Sequence, residues 1–377
     1  QSERPSLSVR FSGELQPEYS GEYNFEIFSI GPSKLSINGE NLIDNWSSQE
    51  PGDAFFGMGS APKREKIKFE KGKTYSLEVE YKWEGRFPAV QIGMQPPDQF
   101  DLMEEAINLA KEADAVVLIA GTNSDWETEG NDRANLDLPS NQNELIETIC
   151  KLNKNTVVVL NTGSPCEMPW IDNANAILQC WFPGQEFGNS LADILIGKVN
   201  PSGKLPTTFP KKLSDTPAYS TYPGKDLQMD YEEGLFIGYR WYDRESIEPL
   251  FPFGHGLSYT SFEYSNLRAI PPKGDSSVAA FEVDITNTGD VAGKEVLQGY
   301  ITVNESQIER PQKELKKFEK ISLESGETKK VKFELSEKDL SFWSTENNAW
   351  QVEPAEYLFS IGASATDIKD SVSVWLG

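Results

Sequence analysis

The chain has 377 residues and a formal net charge of −24, from 59 acidic against 35 basic side chains. That length allows two or three domains with cores of their own. The negative field argues against nucleic acid and anionic membrane as partners and leaves a neutral sugar unrepelled, while no apolar run approaches the roughly 20 residues of a membrane-crossing helix.

Residues 1–98 read as all-β. Short alternating runs at 8–11, 22–27, 34–37, 66–69 and 75–81 are separated by Gly, Pro, Asn and Ser. Asn38-Gly39 between two apolar runs predicts a tight hairpin. Within this segment, Phe55 and Phe56 lie in a Gly-rich loop, PGDAFFGMG (51–59). Exposed rings there suit the apolar face of a pyranose, so both are candidate substrate contacts; a plug onto the segment's own core is the competing reading.

Texture changes at residue 99. Residues 101–113 have helical periodicity in Met103, Ala106, Ile107, Ala110 and Ala113. Apolar runs at 115–120, 156–160 and 176–180 look like strands of a parallel sheet covered on both faces. Helices are predicted at 142–152, with Asn141 and Glu144 at capping-box spacing, and at 186–196, stopped by Gly197. Alternating β and α implies right-handed crossovers. Residues 205–265 are mostly loop. From 275 the chain returns to β, with strands at 277–285, 296–303, 329–335 and 357–361 and a turn at 287–290, suggesting a sandwich of about 100 residues.

The stretch GTNSDWETEGNDRANLDLP (121–139) follows the first apolar run and holds five acids, one Arg and one Trp. A strand that empties into a carboxylate-rich loop before a helix puts acids where open α/β sheets bind ligands. Gly130 allows a tight turn beside Glu129. Arg133 is expected to pair with Asp132 or another acid. Glu127 and Glu129, two apart, would share a side of an extended segment, one working while the other tunes it. Asp125 beside Trp126 could be a nucleophile next to a stacking ring, but reads better as a loop acid capping backbone N–H groups. A solvated acidic turn remains the plain alternative for the whole stretch.

Other chemistry is scarce. The one histidine, His255, sits among Gly and aromatics and reads as structural; Ser/His/Asp catalysis and multi-His metal sites are nearly excluded. Cys150, Cys166 and Cys180 match no zinc spacing and read as buried thiols, and their scarcity favours a reducing, intracellular compartment. No metal and no cofactor is expected. The sequons at Asn45 and Asn304 are short enough to arise by chance.

Taken together, residues 121–146, NTGSPCEMPW (161–170), 181–210, YEEGLFIGYRWYD (231–243) and PLFPFGHGLSYTSFEY (249–264) resemble the C-terminal half of family-three glycoside hydrolases of the β-glucosidase type. The tail, with ITNTGDVAGKEVLQGYI and ERPQKELKKFEKISLESGE, resembles that family's fibronectin type III-like domain, and residues 1–98 are similar to the protective-antigen-type β domain inserted in some members. The resemblance implies a multidomain α/β plus all-β fold. Residues 1–98 would be a partial inserted β-sandwich-like domain, 99–265 an α/β sandwich with a mostly parallel sheet, and 266–377 a fibronectin type III-like sandwich.

It also implies retaining hydrolysis of β-glycosides from the non-reducing end, with a β-glucoside or short gluco-oligosaccharide as partner. In the family an aspartate nucleophile comes from an N-terminal TIM barrel and a glutamate of the α/β domain is the acid/base. The family motif Glu-Gly-x-Asp-Arg maps onto Glu129-Gly130-Asn131-Asp132-Arg133 and selects Glu129, with Glu127 as runner-up. Asp125, in the wrong domain, becomes a coincidence. Because no barrel precedes residue 1, the sequence is expected to be a fragment, a processed piece or part of a larger polypeptide, inactive alone. A β-xylosidase or related exo-glycosidase, and a non-catalytic carbohydrate-binding module, are the alternatives. A homo-oligomer stays open.

Overall fold

The computed structural model describes residues 6–85, 87–97, 101–130, 132–273 and 277–377. The boundary expected at 98/99, Asn131 of the acidic motif and the β start at 275 therefore lie outside the described residues. The chain forms two compact units, Gln1–Asn108 and Leu109–Gly377.

The first unit is a β-sandwich. Its strands are β1 (Ser6–Leu15), β2 (Gly21–Ile30), β3 (Ser33–Ile37), β4 (Glu40–Asn45), β5 (Lys63–Phe69), β6 (Tyr75–Glu84) and β7 (Ala89–Gln95). They make two sheets, ordered β1-β6-β3-β4 and β5-β2-β7. Period-two burial drives the packing: Tyr23, Phe25 and Ile27 of β2 face inward onto Leu35, Ile37, Ile43, Phe69 and Val79. Asn38 and Gly39 turn with φ of 52° and 81°, the predicted hairpin. Asn45 is 0% exposed and donates to Ser29, Ser33 and Ser60 hydroxyls at 3.0–3.2 Å, so this sequon is closed to a glycan in the folded state. Between β4 and β5 lies the four-residue turn α1 (Ala54–Gly57).

The second unit opens with an α/β layer. Helix α2 (Leu102–Glu112), which crosses the division between the units, is followed by β8 (Val116–Gly121), α3 (Gln142–Leu152), β9 (Thr156–Asn161), β10 (Ala176–Gln179), α4 (Phe187–Leu195) and α5 (Tyr239–Glu245). The three strands are parallel, in the order β10-β9-β8. Helix α3 buries Ile146, Ile149 and Cys150. Its Asn141 makes no side-chain cap bond, contrary to the capping-box expectation. Instead Gln142 pairs its amide with both the N–H and the C=O of Gly121, at 2.7 and 2.9 Å, so the helix start is joined to the end of β8. Gly197 ends α4 with φ +75°, as predicted. The sheet is not covered throughout on both faces: Val117 and Ile119 on β8 are 49% and 55% exposed, while Leu118 and Ala120 on the opposite face are buried.

The same unit continues into a second sandwich. Strands β11 (Phe262–Ile270), β12 (Ser277–Asn287) and β15 (Thr328–Ser336) form one sheet; β14 (Glu314–Leu323), β13 (Gly293–Asn304), β18 (Ala355–Gly362) and β19 (Ile368–Leu376) form the other. The capped turn α6 (Glu337–Leu340) and the hairpin β16 (Phe342–Ser344)–β17 (Ala349–Gln351) lie between β15 and β18. Phe359 stacks on Phe281 at 4.2 Å in the core between the sheets. Partly buried ties join sandwich and α/β layer within this unit: Lys204 to Glu295 at 3.0 Å, Lys313 to Asp243 at 2.6 Å, and Gln298 Nε2 donating to Gly254 O at 3.1 Å.

Candidate active site

The acidic loop leaves the carboxyl end of β8, next to the end of β9. Thr122 N–H donates to Asn161 O at 3.1 Å and so extends the strand pairing by one bond. Asn123 then turns the chain. Its Oδ1 accepts from the N–H groups of Asp125 and Trp126, and its carbonyl from those of Trp126 and Glu127. The residue that caps local N–H groups is thus Asn123, not Asp125, whose side chain is exposed.

Glu127 folds back onto the strand ends. Its Oε1 accepts from Thr122 Oγ1 at 2.6 Å and from Gly163 N–H at 3.0 Å. Glu129 is exposed, and the chain turns beside it at Gly130 with φ +84°. Because the segment is a turn, the two glutamates do not share one environment: one is docked on the protein and the other projects from it. The described residues of this unit do not bury Glu129.

Beyond the turn, Asp132 accepts from Tyr222 Oη at 2.6 Å, and that bond holds the tyrosine's titration above its usual range. Among the described residues Arg133 does not pair with an acid side chain, contrary to expectation. Its Nη1 donates to Ser164 Oγ at 2.8 Å and Pro165 O at 3.4 Å, and its Nη2 to Asp137 O at 3.4 Å. A relay then reaches the core. Trp126 Nε1 donates to Asp137 O, Asn143 Nδ2 to Asp137 Oδ1, and the fully buried Trp170 donates Nε1 to Asn143 Oδ1 at 2.9 Å.

The two phenylalanines of the first unit part company. Both have left-handed backbones, Phe55 at φ 55° and Phe56 at φ 61°, a strained state for residues with a Cβ. Phe55 packs on Phe28 at 5.5 Å between ring centres, the plug reading. Phe56 is 79% exposed. His255 stacks on Phe251 at 5.3 Å, and burial pushes its titration down, in line with a structural role. Among the described residues no cluster of three or more His, Cys, Asp or Glu could hold a metal.

Sequence reasoning passed over the residues that shape the loop. Thr122, Asn123, Gly163, Ser164 and Tyr222 carry no charge and belong to no catalytic pattern. One signal was available: Asn161-Thr162-Gly163-Ser164-Pro165 follows its strand as the acidic loop follows β8, so the two loops start side by side.

Residues 26–259 match the profile of the glycosyl hydrolase family 3 C-terminal domain. The chain belongs to glycosyl hydrolase family 3. Residues 295–365 match a fibronectin type III-like domain, which lies within the second sandwich. Among family 3 relatives, a β-glucosidase of Rhizobium radiobacter is 38% identical over 380 residues, covering 98% of this chain and 46% of the relative. A β-glucosidase of Kluyveromyces marxianus is 41% identical over 377 residues, covering 97% and 44%. The crystal structure of the Kluyveromyces marxianus β-glucosidase in complex with glucose superposes with a TM-score of 0.86 at 39% identity, covering 99% of this chain and 45% of that one. The chain therefore spans a little under half the length of these relatives.

Proposed function

We propose that this chain carries the general acid/base of a retaining β-glucosidase, that Glu129 is that residue, and that the nucleophilic aspartate comes from a TIM barrel in a longer polypeptide. The observation that carries the reading is the loop itself. Glu127 is bound by Thr122 and Gly163, Asp132 by Tyr222 and Asp137 by Asn143, whereas Glu129 projects from a glycine turn just past the carboxyl end of a parallel sheet. Open α/β sheets bind ligands at that end. The family's Glu-Gly-x-Asp-Arg motif falls on the same residue, and the relatives' names support a terminal β-D-glucosyl residue as substrate over a xylosyl one.

In such a reaction two carboxyls stand roughly 5–5.5 Å apart across the glycosidic bond. Glu129 gives its proton to the departing oxygen as the sugar's anomeric carbon bonds to the aspartate. It then takes a proton from the water that attacks the same carbon, which restores both groups. The first carboxyl of such a pair is kept protonated by burial and the second stays ionised. Proton magnetic resonance of the complete enzyme acting on an aryl β-glucoside is the test. Free β-glucose should appear before its α anomer, and the 377-residue chain alone should release none. First appearance of the α anomer, or turnover by the chain alone, sinks the proposal.

We also propose the division into 1–98, 99–265 and 266–377, with the first part an insertion. A relative from Acetivibrio thermocellus matching over 278 residues, 73% of this chain, supports a β unit that some family members lack. In that unit Phe56 is the better carbohydrate contact, because Phe55 is already packed. Calorimetric titration of the 377-residue chain with cellotetraose should weaken by about two- to tenfold on Phe56→Ala, from the worth of one stacked ring. Equal binding by Phe56→Ala and the unaltered chain removes the assignment.

A further inference from the structure

We infer that Glu127 is a positioning residue that fixes the direction of Glu129, an assignment that rests on the acid/base reading of Glu129. Its carboxylate bridges the ends of two neighbouring strands. Thr122 directly follows β8, and Gly163 lies two residues past β9. Oε1 accepts from both, at 2.6 and 3.0 Å. Hydrogen bonds to a carboxylate oxygen are short and strong, and here both donors sit just past the ends of two paired strands.

The site has a built fit. A Cβ on Gly163 would lie 2.4 Å from Glu127 Oε2 and 2.6 Å from the Phe182 ring, so the missing side chain gives the carboxylate room to rest against this backbone. The same short segment takes the other arm of the loop, because Arg133 donates to Ser164 Oγ and Pro165 O. Glu129 thus lies between two anchors, two residues before it and four after, both attached to 163–165. The span between them includes the Gly130 turn. Glu127 turns its Oε1 onto the protein, so this oxygen is badly oriented to meet a substrate and well oriented to set where the neighbouring residue points. Its part is geometric: the span it pins is the one that delivers the proton.

Two measurements test this. In the complete enzyme, Glu127→Ala should lower kcat/KM for alkyl β-glucosides by about 100-fold, the cost of misplacing a reacting group by an ångström or so. The limbs of the pH profile should stay in place, added azide should give no rescue, and Glu127→Gln should recover most of the loss because its Oε1 can accept both bonds. If Glu127→Gln is as damaged as Glu127→Ala and azide rescues both, Glu127 is itself the acid/base and the inference falls. Wild-type rates in Glu127→Ala also overturn it.

Hydrogen exchange on the 377-residue chain gives a readout independent of turnover. Peptides covering 122–130 and 163 should exchange on the order of tenfold faster in Glu127→Ala and Thr122→Val, with the rest of the chain unchanged. Unaltered exchange in both variants overturns the inference. Should Glu129→Ala keep wild-type rates, the acid/base reading fails instead, and the exchange result still decides whether the anchor exists.

Discussion

Glu129→Ala in the complete enzyme should lower kcat/KM for alkyl β-glucosides by about 1,000-fold, within the range general acid–base catalysis contributes. An alkoxide leaves poorly without a proton, so these substrates depend fully on the acid. Activated aryl glucosides, whose phenolates depart unaided, should lose far less in the glycosylation step. Their turnover should instead stall at the glycosyl-enzyme, because no base activates water. Azide needs no deprotonation and should restore aryl turnover, giving β-glucosyl azide. The measurement is a pair of rate profiles with and without azide, plus the configuration of the product. Wild-type rates on both substrate classes would remove Glu129 from the mechanism. Asp125→Ala, on the preceding turn and with no part in the proposed chemistry, is the matched control.

The largest stability effect is expected at Trp170. Its side chain is 0% exposed and its indole N–H donates to Asn143 Oδ1 at 2.9 Å. Trp170→Ala should cost about 3–5 kcal/mol, from lost burial and the cavity left behind. Trp170→Phe keeps most of the volume, and its hydrogen-bond loss should cost about 1 kcal/mol. Urea unfolding followed by near-ultraviolet circular dichroism checks both. Unchanged midpoints would mean that the site relaxes around the loss. Asn143 also holds Asp137, whose carbonyl receives Trp126 and Arg133, so a damaged core should reach the acidic loop before global unfolding does. Proteolysis near residue 130, under conditions that leave the sandwiches intact, would report that.

Much of the scaffold was legible because its signals are local. Tyr23, Phe25 and Ile27 alternate, and the apolar residues of 142–152 repeat at helical spacing; both patterns became the predicted elements. Strand β14, ELKKFEKISL, escaped because its charged residues hide the alternation, and β7 because Gly93 and three glutamine or methionine neighbours weaken it. The capping box did not form: Asn141 stands at φ −96°, ψ 21°, outside the extended backbone usual for an N-cap, and the helix start is instead tied to β8 through Gln142 and Gly121.

At the candidate site the motif named Glu129, but the work of each neighbour was hidden. Sequence distance gave Glu127 and Glu129 equal standing. What separates them is Gly163, 36 residues from Glu127, whose missing side chain makes room for one carboxylate and not the other. Arg133 was assigned an acid on charge alone, whereas its partners are a hydroxyl and two carbonyls contributed by the fold. Uncharged partners brought together by parallel pairing leave no trace in composition.

The double attachment of the acidic loop also bears on the entropy of assembly. Fixing the backbone of a residue costs roughly 1–2 kcal/mol, so a loose loop of this length would draw several kcal/mol from any association that had to order it. Here the turn is already held by Glu127 and Arg133 within a single unit. A domain that completes such a site would therefore meet a loop already tied to the unit through Glu127 and Arg133, which lowers the ordering cost of the association.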